Sequence, residues 1–299
     1  MSAVSHLSQL TESEQMMVAH SSEWTPTDAY LDFLLFETPY PEVTILTLKR
    51  DDWVATTPQV LRGLQSTDSE VRRFWVKKAP SPLDSRVVDA ALSDKESLVV
   101  VALVKRTDWT ATTEQCYQLL HHESWMVASE WIKRTDWTPT PEDVLEGLKS
   151  RIPYVKLKWL EREDIHIPED MIYELLQDEN YGARIATVYH PSCPASLELA
   201  QMTMDLIQKH IDEVVNFMAS CSNPNLIKLD IFDLTWTTLI KAWLKKSGWT
   251  PDAKMIQNGL SCKIASVRKV WEDYVKAQIQ GIAYTDLQES DLDYNSEIL

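Results

Sequence analysis

Residues 106–137 read RTDWTATTEQCYQLLHHESWMVASEWIKRTDW and begin and end with the same four residues, Arg-Thr-Asp-Trp. The two tryptophans, Trp109 and Trp137, are 28 residues apart, and Trp53 and Trp249 lie at further multiples of 28. Trp24 lies 29 residues before Trp53, one residue out of phase. Fixed spacing of this kind is typical of repeat proteins. The spacing therefore predicts about nine units of 28 residues.

Two further positions of the unit agree with this period. The residue eleven places after each start is apolar in every unit, and so is the residue eighteen places after each start from the second unit onward. The latter are Val71, Val99, Val127, Val155, Ala183, Ile211, Leu239 and Val267, and Val43, after one extra residue, serves in the first unit. Tryptophan recurs twenty-two places after the start and alternates there with Leu103 and Val215. We interpret these columns as core positions, and leave open whether the tryptophans at the start position are exposed.

Each unit is predicted to form two short helices. Thr-Pro segments such as Thr138-Pro139 suit a helix start, because a hydroxyl caps free amides and proline fits the first turn. The apolar residues Val144, Leu145 and Leu148 then share one helical face. A polar break such as Gln65-Ser66-Thr67-Asp68 ends the first helix. A second helix follows, in which Val155 and Trp159 are one turn apart.

Helix pairs of this size cannot bury both apolar faces alone, so they must stack on their neighbours. We therefore predict an all-α fold, an α-solenoid (superhelix) of about nine 28-residue two-helix repeats over residues 24–280. An N-terminal capping helix within residues 1–23, opened by the capping-box pattern Thr11–Glu14, is expected to cover its front. Residues 281–299 contain five acidic and no basic side chains and are predicted to be an acidic C-terminal tail.

The order Thr-Pro, apolar helix, polar break and Val-Arg, as in residues 56–72 and 251–268, resembles short HEAT-like repeats and is similar to variant leucine-rich repeats. The resemblance covers about residues 24–276. It implies a scaffold whose concave face, lined by second helices, binds macromolecules. It implies no chemistry.

Composition limits the class of protein further. The 299 residues include 29 basic and 45 acidic side chains, for a net charge of −16, which argues against a wholly basic nucleic-acid binder or a membrane-surface protein. The excess lies at the ends, because residues 1–52 carry a net charge of −7 and residues 281–299 one of −5. The first twenty residues do not read as a secretory signal, and no apolar window is long enough to cross a membrane. Four scattered cysteines without a CxxC pair indicate free thiols. We expect a cytoplasmic protein.

No catalytic motif is recognised, and we expect neither an enzyme nor a cofactor. The cluster of Cys116, His121, His122 and Glu123 lacks the spacing of a helical zinc site, so we interpret these histidines as solvated and expect no metal. The aspartates of the repeated Arg-x-Asp-Trp turn are interpreted as structural, satisfying turn amides.

Basic residues recur on the second helices and are the best candidate contact surface. They could also simply complement helix dipoles and pair with neighbouring repeats. The candidate partner-binding residues are Arg72, Lys105, Lys133, Lys156, Arg184, Lys241 and Arg268.

Three functional hypotheses follow from these residues. The first is a non-enzymatic scaffold or adaptor that binds a protein partner, with an acidic segment as the expected ligand and no small molecule. The second is an acidic nucleic-acid mimic that inhibits a DNA- or RNA-binding enzyme. The third, which the net charge disfavours, is direct binding of nucleic acid by the basic row.

Overall fold

The structure is a computed structural model that describes residues 6–21, 28–220, 229–246, 248–280 and 284. These residues form helices and turns, with no strand among them, so the predicted all-α fold is confirmed. The chain divides into two compact units, Met1–Thr138 and Pro139–Leu299. Trp24, Cys221 and the acidic tail apart from Tyr284 lie outside the described residues.

The N-terminal helix α1 spans Glu12–His20 and begins as the capping-box pattern predicts. The Thr11 hydroxyl accepts a hydrogen bond from the Glu14 N–H at 3.4 Å, and the Glu14 carboxylate accepts one from the Thr11 N–H at 2.8 Å. Ala19 of α1 is fully buried in one apolar cluster with Val43. Through this cluster α1 packs against the helix Pro41–Leu48.

In the first unit each repeat contributes a first helix and a second helix. The pairs are α2 (Asp28–Asp32), which continues as a π-helix (Phe33–Glu37), with α3 (Pro41–Leu48); α4 (Thr57–Gly63) with α5 (Ser69–Lys78); α6 (Ser85–Leu92) with α7 (Ser97–Val104); and α8 (Thr113–Leu120) with α9 (Trp125–Ile132). The second helices begin 28 residues apart, and α1, α3, α5, α7 and α9 contact one another in that order.

The second unit contains the pairs α10 (Pro141–Leu148) with α11 (Pro153–Leu160) and α12 (Glu169–Leu176) with α13 (Tyr181–Tyr189). Two long helices follow, α14 (Leu197–Ser220) and α15 (Leu229–Lys245), before a last pair, α16 (Ala253–Leu260) with α17 (Ala265–Gln280). Consecutive contacts join α11, α13, α15 and α17.

The predicted helix starts are present. The column eleven places after the start is core in part only, because Leu92 and Leu120 are half-buried and Leu260 is 37% exposed. Thr56, Thr112 and Thr140 each close a capping box at the start of a first helix, which satisfies amides that an eight-residue helix leaves unpaired. All nine residues of the column eighteen places after the start are buried. Leu148 and Val155, which the stacking argument requires to be inside, are 1% and 8% exposed.

Size complementarity links the first and second helix of a repeat. Three glycines at the same position of the unit, Gly63, Gly147 and Gly259, each lie against the tryptophan twelve residues later, where a methyl group would come within 2.3 Å of the indole ring. The same two columns hold Ala91 with Leu103, and Leu175 with Thr187. In three repeats a tryptophan in the second helix thus goes with a glycine in the first. The repeat with Trp131 is an exception, because its residue at the glycine position is the buried Leu119.

The repeats that start at Cys193 and Cys221 are not helix pairs, and here the sequence prediction was wrong. Each contains one long helix, α14 or α15. The four residues of the polar break are replaced by Asp-Leu-Ile-Gln at 205–208 and Asp-Leu-Thr-Trp at 233–236. Ile207 and Trp236 are buried, so these segments continue a buried helical face instead of ending it. Helix α14 also lies outside the series of consecutive contacts, because α13 packs directly against α15.

We predict that Gly147→Ala lowers the free energy of unfolding by about 2 kcal/mol, because the added methyl group would meet Trp159 Nε1 at 1.8 Å. In a Trp159→Leu background the same substitution should cost much less, since it recreates the Ala91 and Leu103 combination. Urea denaturation followed by circular dichroism measures both. An equal cost in the two backgrounds would refute this size coupling.

Candidate partner-binding site

The seven candidate cations are divided between the two units. Arg72, Lys105 and Lys133 belong to the first unit, and Lys156, Arg184, Lys241 and Arg268 to the second. The side chains of Arg72, Lys156 and Arg184 are largely buried. These three were wrongly expected to face a partner, because their charged groups are used inside the protein.

Arg72 shows what these buried cations do. Its Nε and Nη2 donate to both carboxylate oxygens of Asp94 at 2.6 and 2.9 Å, and its Nη1 donates to the Ser66 carbonyl at 2.9 Å. Both side chains of the ion pair are 7% exposed. Burial raises the pKa of Asp94, but the hydrogen bonds from Arg72 and the Glu96 N–H outweigh it, so the net shift is downward. The pair therefore joins consecutive repeats as a charged, desolvated bridge.

The same position recurs in other repeats with the same role. Lys156 pairs with Asp178, which is again twenty-two residues later. Arg184 and Arg268 donate to the carbonyls of Asp178 and Cys262, each six residues earlier, as Arg72 does to Ser66. An arginine at this position of the second helix therefore stabilises the polar break that precedes the helix, by a hydrogen bond to one of its carbonyls.

A second column of side chains lies at the C-terminal ends of second helices and donates to backbone carbonyls of an earlier repeat, as Arg106 and Arg134 do. Arg106 Nη1 donates to the carbonyls of Val76 and Ala79 at 2.8 and 2.7 Å. Arg134 Nη1 donates likewise to the Arg106 carbonyl at 2.7 Å. The cation column consists of Arg50, Lys78, Arg106, Arg134, Arg162 and Lys246, and His190 occupies the same position of its repeat.

The repeated aspartates hold these arginines in place. Asp108 and Asp136 accept hydrogen bonds from the Nε of the arginine two residues earlier, at 2.9 and 2.8 Å. The side-chain hydrogen bond from the neighbouring arginine lowers the pKa of Asp52, Asp108 and Asp164. The structural interpretation of these aspartates is correct, but their side-chain partner is the arginine.

The tryptophans at the start position also belong to the turn. The indole N–H of Trp53, Trp109, Trp137 and Trp249 donates to the carbonyl six residues earlier, in the last turn of the preceding second helix. Trp53 and Trp109 are 8% and 7% exposed, and Trp137 and Trp249 are half-buried. These rings are therefore turn and core residues and offer little free surface.

Immediately before the cation column, an exposed lysine recurs at the C-terminal end of every second helix from α3 to α9. We define the basic face as this row together with two residues of α5, so that it consists of Lys49, Arg73, Phe74, Lys77, Lys105 and Lys133. All four lysines are exposed, whereas the next residue along the chain is half-buried or buried in each case. The basic face therefore crosses four helices that contact one another in sequence.

Phe74 lies at the centre of one half of the basic face. The ammonium groups of Lys49 and Lys77 lie 5.0 and 4.8 Å from its ring centroid, and the Arg73 guanidinium lies 5.3 Å away. The pKa of Lys77 is lowered by burial, and further by the charges of Arg73, Lys105 and Lys49, against the opposing effect of Glu70. Cations are thus concentrated around a half-buried aromatic ring.

Glu130 forms ion pairs with Lys105 and Lys133, the two lysines of the other half of the basic face. Its carboxylate lies 2.8 Å from Lys133 Nζ and 3.9 Å from Lys105 Nζ. The lysine side chains are 40% and 62% exposed, so these ion pairs are screened by water and can exchange for other carboxylates at small cost.

Of the candidate residues in the second unit, Lys241 is half-buried, and Arg268 lies 3.8 Å from Glu272. The sequence interpretation omitted Lys49 and Phe74 and chose Arg72 in place of Arg73 and Lys77. The available signal was the column of Lys49, Lys77, Lys105 and Lys133, spaced by 28 residues.

Within the described helices, none has the length and apolarity that a membrane span requires. The described side chains also include no group of three or more His, Cys, Asp or Glu placed to hold a metal ion. No family model, curated protein or solved structure matches the chain.

We predict that Arg72→Gln lowers the free energy of unfolding by about 3 kcal/mol, because it leaves the buried Asp94 carboxylate without its cation. Lys105→Gln, which removes an exposed cation of the same unit, should change it by less than about 0.5 kcal/mol. Urea titrations of the two variants make the comparison. Equal effects would contradict the division into buried and exposed cations.

His190 makes the stability of the second unit depend on pH. Its Nε2 bonds the Arg162 carbonyl at 2.9 Å, and its Nδ1 accepts the Ser192 N–H at 3.1 Å, an arrangement that needs a neutral ring. Burial lowers its pKa, as do the nearby Lys246 and His166, while the carbonyl bond and Glu163 act in the opposite direction. Because the folded pKa lies below the unfolded value of about 6.5, the unfolded chain takes up the proton first as the pH falls.

We therefore predict that wild-type stability decreases from about pH 7 towards pH 5 more steeply than that of His190→Gln. Chemical denaturation at a series of pH values measures the two slopes. His20→Gln, a change at an exposed histidine, is the matched control and should keep the wild-type slope. Parallel curves for wild type and His190→Gln would show that His190 titrates alike in the folded and unfolded chains.

Proposed function

We propose that this protein is a non-enzymatic scaffold whose first unit binds an acidic segment of a partner protein on the basic face. We propose also that the helix pairs of each unit form an α-solenoid with the second helices on its concave side, as the resemblance to HEAT-like repeats implies. The scattered cysteines without CxxC pairs support a cytoplasmic location.

The observation that carries this proposal is the row of exposed lysines on α3, α5, α7 and α9. Lys49, Lys77, Lys105 and Lys133 occupy one position on four helices in consecutive contact. Their charges act on one another, since Lys49 and Lys105 both contribute to the lowered pKa of Lys77. A set of like charges held together in this way favours an anionic ligand.

Helix stability alone does not account for the row. Lysine near a helix C-terminus does complement the helix dipole. However, the next residue, in the cation column, already donates to backbone carbonyls, as Arg106 and Arg134 do. In the second unit the equivalent positions after α11 and at the end of α13 hold Glu161 and Tyr189, and these helices still pack in series. The repeat can therefore be built without the exposed lysine.

The net charge of −16 remains the argument for the alternative, an acidic mimic of nucleic acid. A mimic needs unpaired carboxylates along its surface at phosphate-like spacing. The most regular carboxylates of the described repeats, Asp52, Asp108, Asp136 and Asp164, are instead paired with arginines of the same turns. This pairing favours the scaffold over the mimic.

A polyglutamate peptide with a fluorescent label tests the proposed function by anisotropy. We expect binding by the wild-type chain that weakens steeply with salt, and about thirtyfold weaker binding by the Lys49→Gln, Lys77→Gln, Lys105→Gln triple variant, at about threefold for each lysine. Lys245→Gln is the matched control, since Lys245 occupies the same position of the unit without neighbouring lysines of the row. Equal binding by the triple variant and wild type would remove the basic face from consideration.

A further inference from the structure

We infer that the basic face binds a proline-rich acidic segment in the polyproline II conformation, with a carboxylate at every third residue. This inference rests on the proposed function and specifies the partner's chemistry. It follows from the spacing of the lysines and from the position of Phe74 close to two of them.

The helices set the spacing of the lysines. Packed helix axes are about 8–10 Å apart, and each lysine occupies the same position of its helix. Lys49 and Lys77 lie at 5.0 and 4.8 Å from one ring centroid, so their ammonium groups are separated by no more than this spacing. Lys105 and Lys133 share the Glu130 carboxylate and are limited in the same way.

A ligand that follows this row must present charges on one side at the same interval. A polyproline II helix has three residues per turn and rises about 3.1 Å per residue, so every third side chain points the same way at about 9 Å. In a β-strand, side chains on one face are about 6.7 or 13 Å apart, which is shorter or longer than the 8–10 Å between the packed helix axes that carry the lysines. In an α-helix every seventh residue is about 10.5 Å along the axis, but its direction drifts by about 20° per heptad.

Phe74 provides an aromatic ring, which is the second feature that a polyproline II ligand requires of its binding site. Polyproline II segments bind where aromatic rings pack against their prolines, and they lose little conformational entropy because proline already fixes the backbone. Phe74 is half-buried in α5, and its ring centroid lies within 5.0 Å of the ammonium groups of both Lys49 and Lys77. A segment whose carboxylates contact these two lysines therefore passes close to the ring.

Three labelled peptides of equal length test the inference against the full chain by anisotropy at low salt. The first repeats Glu-Pro-Pro, the second has the same composition with its glutamates grouped in pairs, and the third is alanine-based and helical with Glu at every seventh residue. We expect the first to bind about tenfold more tightly than either of the others. Lys77→Gln should weaken binding of the first peptide about threefold.

The outcomes separate the inference from the proposed function. Equal affinity for the first and second peptides would overturn the spacing but leave the basic face as an acidic-segment site, and tighter binding of the helical peptide would do the same. No binding of any acidic peptide, including polyglutamate, would overturn both. Tighter binding of a single-stranded oligonucleotide would assign the face to nucleic acid and also overturn both.

Phe74→Leu separates the ring from the charges. It keeps an apolar side chain, so the melting temperature should stay near that of wild type, and this is measured first. Affinity for the Glu-Pro-Pro peptide should fall about threefold, while affinity for polyglutamate should not change. An equal loss for both peptides would show that the ring only orients the lysines, which contradicts a proline contact.

Discussion

In the first unit, the ends of α1, α3, α5 and α7 each accept a hydrogen bond from a cation at the end of the next helix in the contact series. Helices of about eight residues leave roughly half of their backbone carbonyls without a partner at the C-terminus, and those groups would be costly to bury unpaired. Arg106 supplies donors to such carbonyls at Val76 and Ala79, and Arg134 supplies them at Val104 and Arg106. One side chain therefore closes one helix and fixes the position of the next, which explains why the period of 28 residues is so closely kept.

Because of this constraint, the two adjacent cations at the end of a second helix have different environments. Second helices α3, α5, α7 and α9 are each followed or ended by a Lys-Arg or Lys-Lys pair. Successive residues of a helix point about 100° apart, so only one of the pair can reach back to the preceding repeat. The second residue is used there, and the first, such as Lys105, stays in water. The way the repeats are joined therefore leaves the first residue of each pair in water, and in the first unit that residue is a lysine throughout.

The sequence predicted the helix pairs, their caps and the buried columns, because burial requires apolar residues at fixed intervals and the intervals are visible. It did not distinguish Arg72 from Arg73, since the two have the same charge and differ only in direction around α5. Their environments depend on Asp94 in the next repeat, a long-range pairing that composition does not reveal. The position of Phe74 among three cations likewise depends on Lys49, which is provided by another helix.

The hydrogen bonds between helix ends and the cation column pass over the long helix α14. Lys246 donates to the Val188 carbonyl at 2.6 Å, 58 residues back, whereas Arg106 reaches Val76 only 30 residues back. The difference is one 28-residue repeat, so the cation column continues from α13 to α15 as if α14 were absent.

The inserted helix changes the environment of Arg184. Arg72 and Lys156 each pair with an aspartate twenty-two residues later, but Leu206 occupies that place after Arg184. Its buried Nη1 has no hydrogen-bond acceptor among the described residues, and burial lowers its pKa. The inserted helix is thus accommodated by preserving the backbone contacts of the series and giving up one ion pair between repeats.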